Sequence, residues 1–355
     1  MHRRTGSLSV NAMTQQDSQI EKLVQNLLES CLSKGSSDLH IEPEPGGYRC
    51  RARTLGRLHC IQNLTTMLAP RVIAHIKVQA KLDITERRLP QDGRCRFNLT
   101  RQTLDCRVST LPALGGEKLV LRILSQQADN TQLAGTGMLP AQQLQVQSAL
   151  QRKEGLILTT GPTGSGKTQT LYTLLQQLND EQRNISTVED PVEVDLAGIN
   201  QVSVQPVLGF TFAHALRALM RQDPDIIMVG EIRDQETASI ACQAAQTGHL
   251  VLATLHAASP LNAIIRLQQL GIDGYQLAAC LVLLMNQRLV TVSATHRMGV
   301  YELVSMQHTL QMALLANPNQ AHYWEHVAEA AKADISLSAA TEHHLKEPSN
   351  ATPVS

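Results

Sequence analysis

The stretch Gly161-Pro-Thr-Gly-Ser-Gly-Lys167-Thr168 decides how the rest of this 355-residue sequence is interpreted. It fits the pattern G-x-x-x-x-G-K-[S/T], in which glycines let the backbone curl until several N–H groups point at one anion. An apolar strand pattern at 156–160 precedes the loop, and helical spacing over 168–178 follows it. An incidental glycine-rich turn is the alternative. The strand before and the helix after favour a site for a nucleoside triphosphate, because the helix start adds the positive end of its dipole.

Residue types within this loop suit the chemistry of phosphate binding. Lys167 would supply a positive charge for the β- and γ-phosphates, and Thr168 would supply a hydroxyl for Mg²⁺. We therefore predict that the nucleotide contacts the whole loop, namely Gly161, Pro162, Thr163, Gly164, Ser165, Gly166, Lys167 and Thr168.

Apolar strands alternate with helical segments on both sides of the loop. The predicted strands cover 156–159, 185–188, 226–229 and 250–253. Uniformly apolar strands between helices are typical of a parallel sheet that is covered on both faces. The sequence thus predicts an α/β fold for this part of the chain.

Two of these strands end in carboxylates, at Glu189 and at Glu231. The carboxyl ends of strands line the ligand crevice in such a sheet. A carboxylate there can hold Mg²⁺, directly or through water, or it can polarise an attacking water. Either acid alone could be a helix cap or a solvated strand end. We predict that both act at the site, and the sequence leaves open which one activates water and which one serves the metal.

Two histidines flank the last of these strands, His249 before it and His256 after it. A lone histidine beside a strand is more often a satisfied hydrogen-bonding residue than a catalyst. From the residues alone, a catalytic role therefore stays open for both.

A different pattern precedes the phosphate loop. A helical pattern begins at Ser18, short alternating strands follow, and a second helix is expected over about 70–82. This pattern predicts an α+β domain. The boundaries are a flexible N-terminus at 1–17, the N-terminal domain at 18–125, a linker at 126–140, the second domain with a short helical C-terminal part at 141–330, and a polar tail at 331–355.

Composition excludes several classes of protein. The number of Lys and Arg residues equals the number of Asp and Glu residues, and the aromatic residues are one Trp, five Tyr and three Phe. A single-strand nucleic-acid binder usually has a basic balance and aromatic platforms. No apolar stretch approaches the roughly 20 residues of a membrane span. The seven cysteines form no C-x-x-C pair, which argues against a thiolate zinc site and favours packing thiols.

Taken together, the motifs resemble those of the secretion ATPase superfamily, the motors of type II secretion, type IV pilus assembly and DNA-uptake pseudopili. Four signatures occur in the order of the family: the phosphate loop, an acidic box at Thr187–Glu193, a Walker B-like segment at Ile226–Asp234, and a histidine box at Thr247–His256. First-domain stretches also match: Ser37–Pro43, Arg88–Arg94, Arg107–Pro112 and Gly115–Arg122.

The resemblance implies an architecture and roles for further residues. It implies a smaller PAS-like α+β domain followed by a RecA-like P-loop ATPase domain, six such subunits in a ring, and a nucleotide between the two domains. Arg107 and Arg122 would reach the phosphates from the first domain. Arg217 and Arg221 match nucleotide-binding arginines of the ATPase domain, and the histidine box adds His249 to the catalytic set.

Two departures from the family pattern carry expectations of their own. Only about twenty residues precede the first helix, so the N-terminal docking domain of many assembly-branch members is expected to be missing. No cysteine follows Gln287–Val290, where members commonly carry a four-cysteine zinc module, and Gly299–Val304 resembles the segment after that module. We therefore expect no zinc.

The functional prediction is a cytoplasmic hexameric ATPase that uses ATP and Mg²⁺. It would act peripherally at the inner membrane on a platform protein, without inserting into the bilayer, and drive the assembly of pilin-like subunits. The alternatives are a nucleotide-gated scaffold with little hydrolysis, a pilus retraction ATPase, and a nucleic-acid translocase, although nucleic acid is not an expected partner. The sequence leaves open whether the machine serves secretion, a pilus or DNA uptake.

Overall fold

A computed structural model describes residues 6–124, 133–293 and 297–346, with the side chains of 6–17 and 346 left aside. Its contacts divide the chain into two compact units, 1–126 and 127–355. Among the residues with a described structure, no helix has the length and apolar character that crossing a bilayer requires.

The first unit is a six-stranded antiparallel sheet with two helices. Its elements are α1 (Gly6–Ser33), β1 (Ser36–Glu44), β2 (Gly47–Thr54), β3 (Arg57–Leu64), α2 (Ala69–Gln79), β4 (Gln91–Asn98), β5 (Thr103–Ala113) and β6 (Gly116–Leu124). The strand order is β3-β2-β1-β6-β5-β4. The predicted strands and the second helix are confirmed. α1 begins at Gly6, earlier than the start at Ser18 that the sequence pattern predicts.

Alternation of side chains gives this sheet one buried face and one polar face. In β5, Leu104, Cys106 and Val108 are buried, whereas the residues between them are more exposed. The buried residues pack with Leu28 of α1 and Ile76 of α2 in one hydrophobic cluster. Burial of this apolar surface is what stabilises the unit.

The central strand β1 was missed by the sequence prediction because its outward residues are polar and charged. Asp38 Oδ1 accepts a hydrogen bond of 3.0 Å from Arg122 Nε, and Asp38 Oδ2 lies 3.6 Å from Arg53 Nε. Glu42 forms ion pairs with Arg51 at 2.6 Å and with Lys118 at 2.9 Å. These partners come from the flanking strands β2 and β6, so only the assembled sheet satisfies the acids of β1.

His40 lies between these two ionic clusters, on the same strand. Its side chain is buried, and neither ring nitrogen has a hydrogen-bond partner within the described residues. Burial lowers the pKa of His40, and the nearby carboxylates of Glu42 and Asp38 oppose that effect only in part. The neutral ring is therefore the form that the folded sheet favours.

The second unit is built on a seven-stranded sheet. A 3₁₀ helix (Leu133–Thr136) leads into α3 (Pro140–Leu150), β7 (Gly155–Thr160), α4 (Lys167–Leu178), β8 (Ile185–Glu189), β9 (Asn200–Ser203), α5 (Phe212–Leu219), β10 (Ile226–Val229), α6 (Gln235–Gln246), β11 (Leu250–Leu255), α7 (Pro260–Gln269), α8 (Gly274–Cys280), β12 (Leu281–Thr291), β13 (Arg297–Ser305), α9 (His308–Leu315), α10 (Tyr323–Ala330) and α11 (Leu337–Lys346). The order is β13-β12-β7-β11-β10-β8-β9, and only β12 and β13 pair antiparallel.

Each central strand of this sheet contributes to a core on both of its faces. In β7, Leu156 and Leu158 belong to one hydrophobic cluster, whereas Ile157 belongs to another. Helices cover both faces, which explains why the strands are apolar at successive positions. The four strands predicted here are confirmed. Asp234 caps α6 by accepting a hydrogen bond from the Thr237 N–H group.

The structure corrects two segments that the sequence suggested were irregular. Within the predicted linker 126–140, Leu133 and Met138 are buried in the same cluster as Ile157, so this part belongs to the second core. Within the predicted polar tail 331–355, α11 is helical and His344 Nε2 lies 2.8 Å from the Gly137 carbonyl oxygen. The earlier part of the linker, 126–132, lies outside the described residues.

His40 gives the first unit a testable pH dependence. Because the pKa of His40 is lowered on folding, the unfolded chain takes up the proton first, and stability is lost as pH falls below about 6.5. His40→Gln should remove this loss, which can reach about 1.4 kcal/mol per pH unit for one proton. Urea unfolding at pH 7.5 and 5.5 measures it. His59→Gln, at an exposed position of β3, is the matched control and should keep the parent's pH dependence. An unchanged slope in His40→Gln would contradict the assignment.

Candidate functional site

The phosphate loop joins the carboxyl end of β7 to the start of α4. Its three glycines, Gly161, Gly164 and Gly166, have φ angles of 143°, 76° and 84°, which side chains disfavour. A Cβ atom on Gly161 would lie 2.3 Å from the carbonyl oxygen of Gln287 on β12. The loop therefore needs glycine both for its turn and for its close approach to the neighbouring strand.

Lys167 is the buried cation of this loop, with 8% of its surface exposed. Its Nζ donates to the carbonyl oxygens of Gly161 and Pro162, at 2.9 and 3.0 Å. Burial lowers the pKa of Lys167, and the negative charge of Glu231 opposes that shift. The Ser165 hydroxyl is buried without a partner among the described residues. A charge and an unpaired hydroxyl in one glycine-rich loop suit an anionic ligand.

Charged side chains follow three adjacent parallel strands, β8, β10 and β11. Glu231 Oε2 accepts from Arg233 Nε at 2.7 Å, and Glu231 Oε1 lies 3.1 Å from His256 Nε2. Arg233 Nη1 is also 3.6 Å from Asp190 Oδ2. The result is a line of alternating groups, Asp190, Arg233, Glu231 and His256, at the edge of the sheet where β7 leads into the loop.

Glu189 is more enclosed than Glu231, with 3% of its surface exposed. Its Oε1 accepts from the Thr187 hydroxyl at 2.6 Å and from Gln201 Nε2 at 3.1 Å, and its Oε2 accepts from the Tyr172 hydroxyl. Burial and the adjacent carboxylate raise the pKa of Tyr172, so the phenol stays a donor. Both oxygens of Glu189 are thus held by neighbouring protein groups, and this carboxylate links α4 to β8 and β9.

His249 does not join this cluster. It lies at the amino end of β11, and its Nδ1 is 3.0 Å from the carbonyl oxygen of Ala244 on α6. The phosphate loop follows the carboxyl end of β7, which is parallel to β11, so His249 is at the opposite edge of the sheet. His256 occupies the position expected of a site residue. Strand direction was the signal that could have separated the two histidines.

The predicted arginines lie in two places. In the second unit, Arg217 on α5 pairs with Glu236, and Arg221 Nη1 donates to the Arg217 carbonyl oxygen at 3.0 Å. In the first unit, Arg107 on β5 and Arg122 on β6 are directly opposite each other on the polar face of the sheet. Both are exposed, which leaves their guanidinium groups accessible to solvent.

Comparison with known proteins identifies the group to which these features belong. The family model described as "Type II/IV secretion system protein" matches residues 13–296. The chain belongs to this type II/IV secretion system family. A "Protein transport protein HofB homolog" of Escherichia coli K12 is 48% identical over 275 residues, covering 78% of this chain and 60% of that protein. The "Type IV pilus assembly ATPase PilB" of Pseudomonas aeruginosa is 48% identical over 281 residues, covering 79% of this chain and 50% of that protein.

The chain thus spans little more than half the length of these curated relatives. Among solved structures, the ATPase DotB of Legionella pneumophila has a TM-score of 0.77 at 23% identity, with 92% of each chain covered. This likeness concerns the fold. The predicted fold class, a RecA-like α/β domain preceded by a smaller α+β domain, is confirmed.

The buried carboxylate of Glu189 yields a stability prediction. Tyr172→Phe removes one of its three donors while keeping the ring, and we expect a loss of about 1–3 kcal/mol in the free energy of unfolding. Chemical unfolding measures the change. Tyr275→Phe, at an exposed tyrosine of α8, is the control and should have little effect. Equal stability of Tyr172→Phe and the parent protein would show that the donor contributes nothing.

Proposed function

We propose that this protein is an ATPase motor that couples the hydrolysis of ATP with Mg²⁺ to the assembly of pilin-like subunits. The observation that carries the proposal is the partly enclosed carboxylate of Glu231, which lies at the sheet edge where β7 leads into the phosphate loop. Its negative charge opposes, without cancelling, the lowering of the pKa of Lys167 by burial. A phosphate cradle and a carboxylate at one sheet edge are the minimum that phosphoryl transfer to water needs.

We assign binding of the phosphates to the loop 161–168 and water activation to Glu231. Its side chain is 17% exposed and can be reached by water, whereas Glu189 is only 3% exposed. Glu189 then acts by fixing α4 and β8, and it stays in the proposed site as a supporting carboxylate. His256 and Arg233 hold Glu231 in place, so they position it. His249 keeps a role in the site only if it acts from the opposite edge of the sheet.

The groups offered for Mg²⁺ are the Thr168 hydroxyl and the Glu231 carboxylate. Among the described residues no group of three or more His, Cys, Asp or Glu side chains could hold a metal ion. This agrees with the usual binding of Mg²⁺ through nucleotide phosphates, water and one or two side chains. The ion would neutralise charge on the phosphates, and the chain's own residues would orient the nucleotide and the water.

Four arginines are proposed to complete the site. Arg107 and Arg122 occupy paired positions of β5 and β6, where they lie near Asp92 and Asp38, and two such arginines can neutralise a transferring phosphoryl group. Arg217 lies on α5 and Arg221 lies two residues after the last residue of that helix, and both are proposed to bind the nucleotide from the second unit.

We further propose that the working form is a homohexamer on the cytoplasmic side of the inner membrane, where a platform protein receives the motion. Support comes from the family and from relatives named as a pilus assembly ATPase and a protein transport protein. The proposal covers secretion, pilus and DNA-uptake machines alike, and it includes no zinc and no nucleic acid.

A nucleotide-gated scaffold with little hydrolysis is the second candidate, and one observation favours it. Both oxygens of Glu231 are engaged, one by Arg233 and the other by His256. These two partners stabilise the ionised carboxylate and so weaken it as a base toward water. Slow release would leave a protein that binds nucleotide and assembles without appreciable turnover.

Lys167→Ala and Glu231→Gln separate binding from chemistry. Lys167→Ala should abolish nucleotide binding, because it removes the cation of the loop. Glu231→Gln should keep binding and lower kcat at least about 100-fold. Glu154→Gln, at the amino edge of the same sheet, is the matched control and should keep the parent's kcat. Phosphate release and calorimetry measure the two effects. Parent-level turnover in Glu231→Gln would reject its catalytic role, and nucleotide-driven assembly without turnover in the parent would favour the scaffold.

The double change Arg107→Gln with Arg122→Gln tests the first-unit arginines. We expect kcat to fall at least tenfold, about the minimum for losing charge stabilisation in the transition state. Arg96→Gln is the control, because Arg96 is exposed on the same sheet and pairs with Asp105 at 2.7 Å. Single-turnover phosphate release measures the rates. Equal rates in the double variant and in Arg96→Gln would remove the arginine pair from the mechanism.

A further inference from the structure

Buried polar side chains lie behind the phosphate loop, on the hairpin formed by β12 and β13. Gln287 is 2% exposed and Tyr301 is 1% exposed, and Thr170 in the first turns of α4 is also buried. Burying polar groups costs free energy unless they are hydrogen-bonded. Apolar packing alone therefore does not explain why three buried polar residues contact one another here.

Gln287 lies against the phosphate loop at two points and against the following helix, α4, at a third. Its side-chain Oε1 accepts from the Thr170 hydroxyl at 2.8 Å. Its backbone oxygen leaves no room for a side chain at Gly161, and its Nε2 would lie 3.1 Å from a Cβ atom on Gly166. One residue of β12 thus lies against the first glycine of the loop, the last glycine, and the helix that follows.

The contact extends beyond Gln287 into the rest of the unit. The Thr170 hydroxyl is also 3.1 Å from the Tyr301 hydroxyl, which lies 3.2 Å from the Thr136 carbonyl oxygen. Burial raises the pKa of Tyr301 to about 12, so its hydroxyl keeps a proton that it can donate to either neighbour. The loop is thereby tied through α4 to β13 and to the 3₁₀ helix that precedes α3.

We propose that Gln287 is a positioning residue of the nucleotide site, and that its hydrogen bond to Thr170 holds the phosphate loop in its binding geometry. The inference rests on the proposed nucleotide function of that loop. Backbone N–H groups attract a phosphate strongly only when they converge before it arrives, because ordering them on binding would consume part of the affinity. Gln287 of β12, which lies against Gly161 and Gly166, holds the backbone N–H groups of the loop in this convergent arrangement.

The bond between Gln287 and Thr170 can be removed from either side. Gln287→Met and Thr170→Val keep the shape of each side chain and remove its polar atoms, whereas Thr170→Ser keeps the hydroxyl. Thr173→Val is the matched control, because Thr173 is buried on the same helix and its hydroxyl donates to Gln169 at 3.0 Å, away from the loop. The probe is ADP with Mg²⁺, bound to the full chain and measured by calorimetry, with a thermal unfolding curve for each variant.

We expect the Kd for ADP to rise about tenfold in Gln287→Met and in Thr170→Val, and to rise no further in the double variant, because both changes remove one interaction. Thr170→Ser and Thr173→Val should bind like the parent. An ADP affinity within twofold of the parent in both disrupted variants overturns the inference, and so does an equal loss in Thr173→Val. Parent protein that fails to bind ADP, or that binds it as Lys167→Ala does, would overturn the proposed function and this inference together.

Discussion

Parallel pairing of β7, β11, β10 and β8 is the constraint on which the candidate site depends. In this register the strands end at one edge, so the phosphate loop, His256, Glu231 and Asp190 meet although as many as 95 positions separate them along the chain. Cores on both faces fix the register, since a shift by one residue would exchange the side chains of the two clusters. Hydrophobic packing therefore sets the distances between polar groups that never touch the core.

Although the formal net charge is zero, charged side chains form ion-paired clusters in both units. On the first sheet, acids of the central strand are bridged by basic residues of its two neighbours. In the second unit, alternating charges cross three strand ends. In both places a charged side chain is held by partners from different strands. Such groups are oriented before any ligand arrives, which is what preorganised electrostatics requires.

Local patterns in the sequence were sufficient for the phosphate loop and the apolar strands, because each is encoded within a dozen residues. They were insufficient for β1, whose acids find their partners only across the sheet. They were also insufficient for the hairpin of β12 and β13, where Gln287 meets a threonine 117 positions away. The resemblance put His249 in the catalytic set, whereas the direction of β11 places His256 at the end that the phosphate loop shares and His249 at the other end.

The hairpin of β12 and β13 has a consequence for how the chain can vary. Thr291 pairs with Arg297, so the strands are already closed at the point where they are joined. Gln287 lies four residues earlier, with the paired Arg288–Val300 and Leu289–Gly299 positions between it and the junction. A change of length between residues 292 and 296 would fall beyond the last pair of this ladder, which is itself four positions from Gln287. The paired strands thus separate this segment from the contact between Gln287 and the phosphate loop.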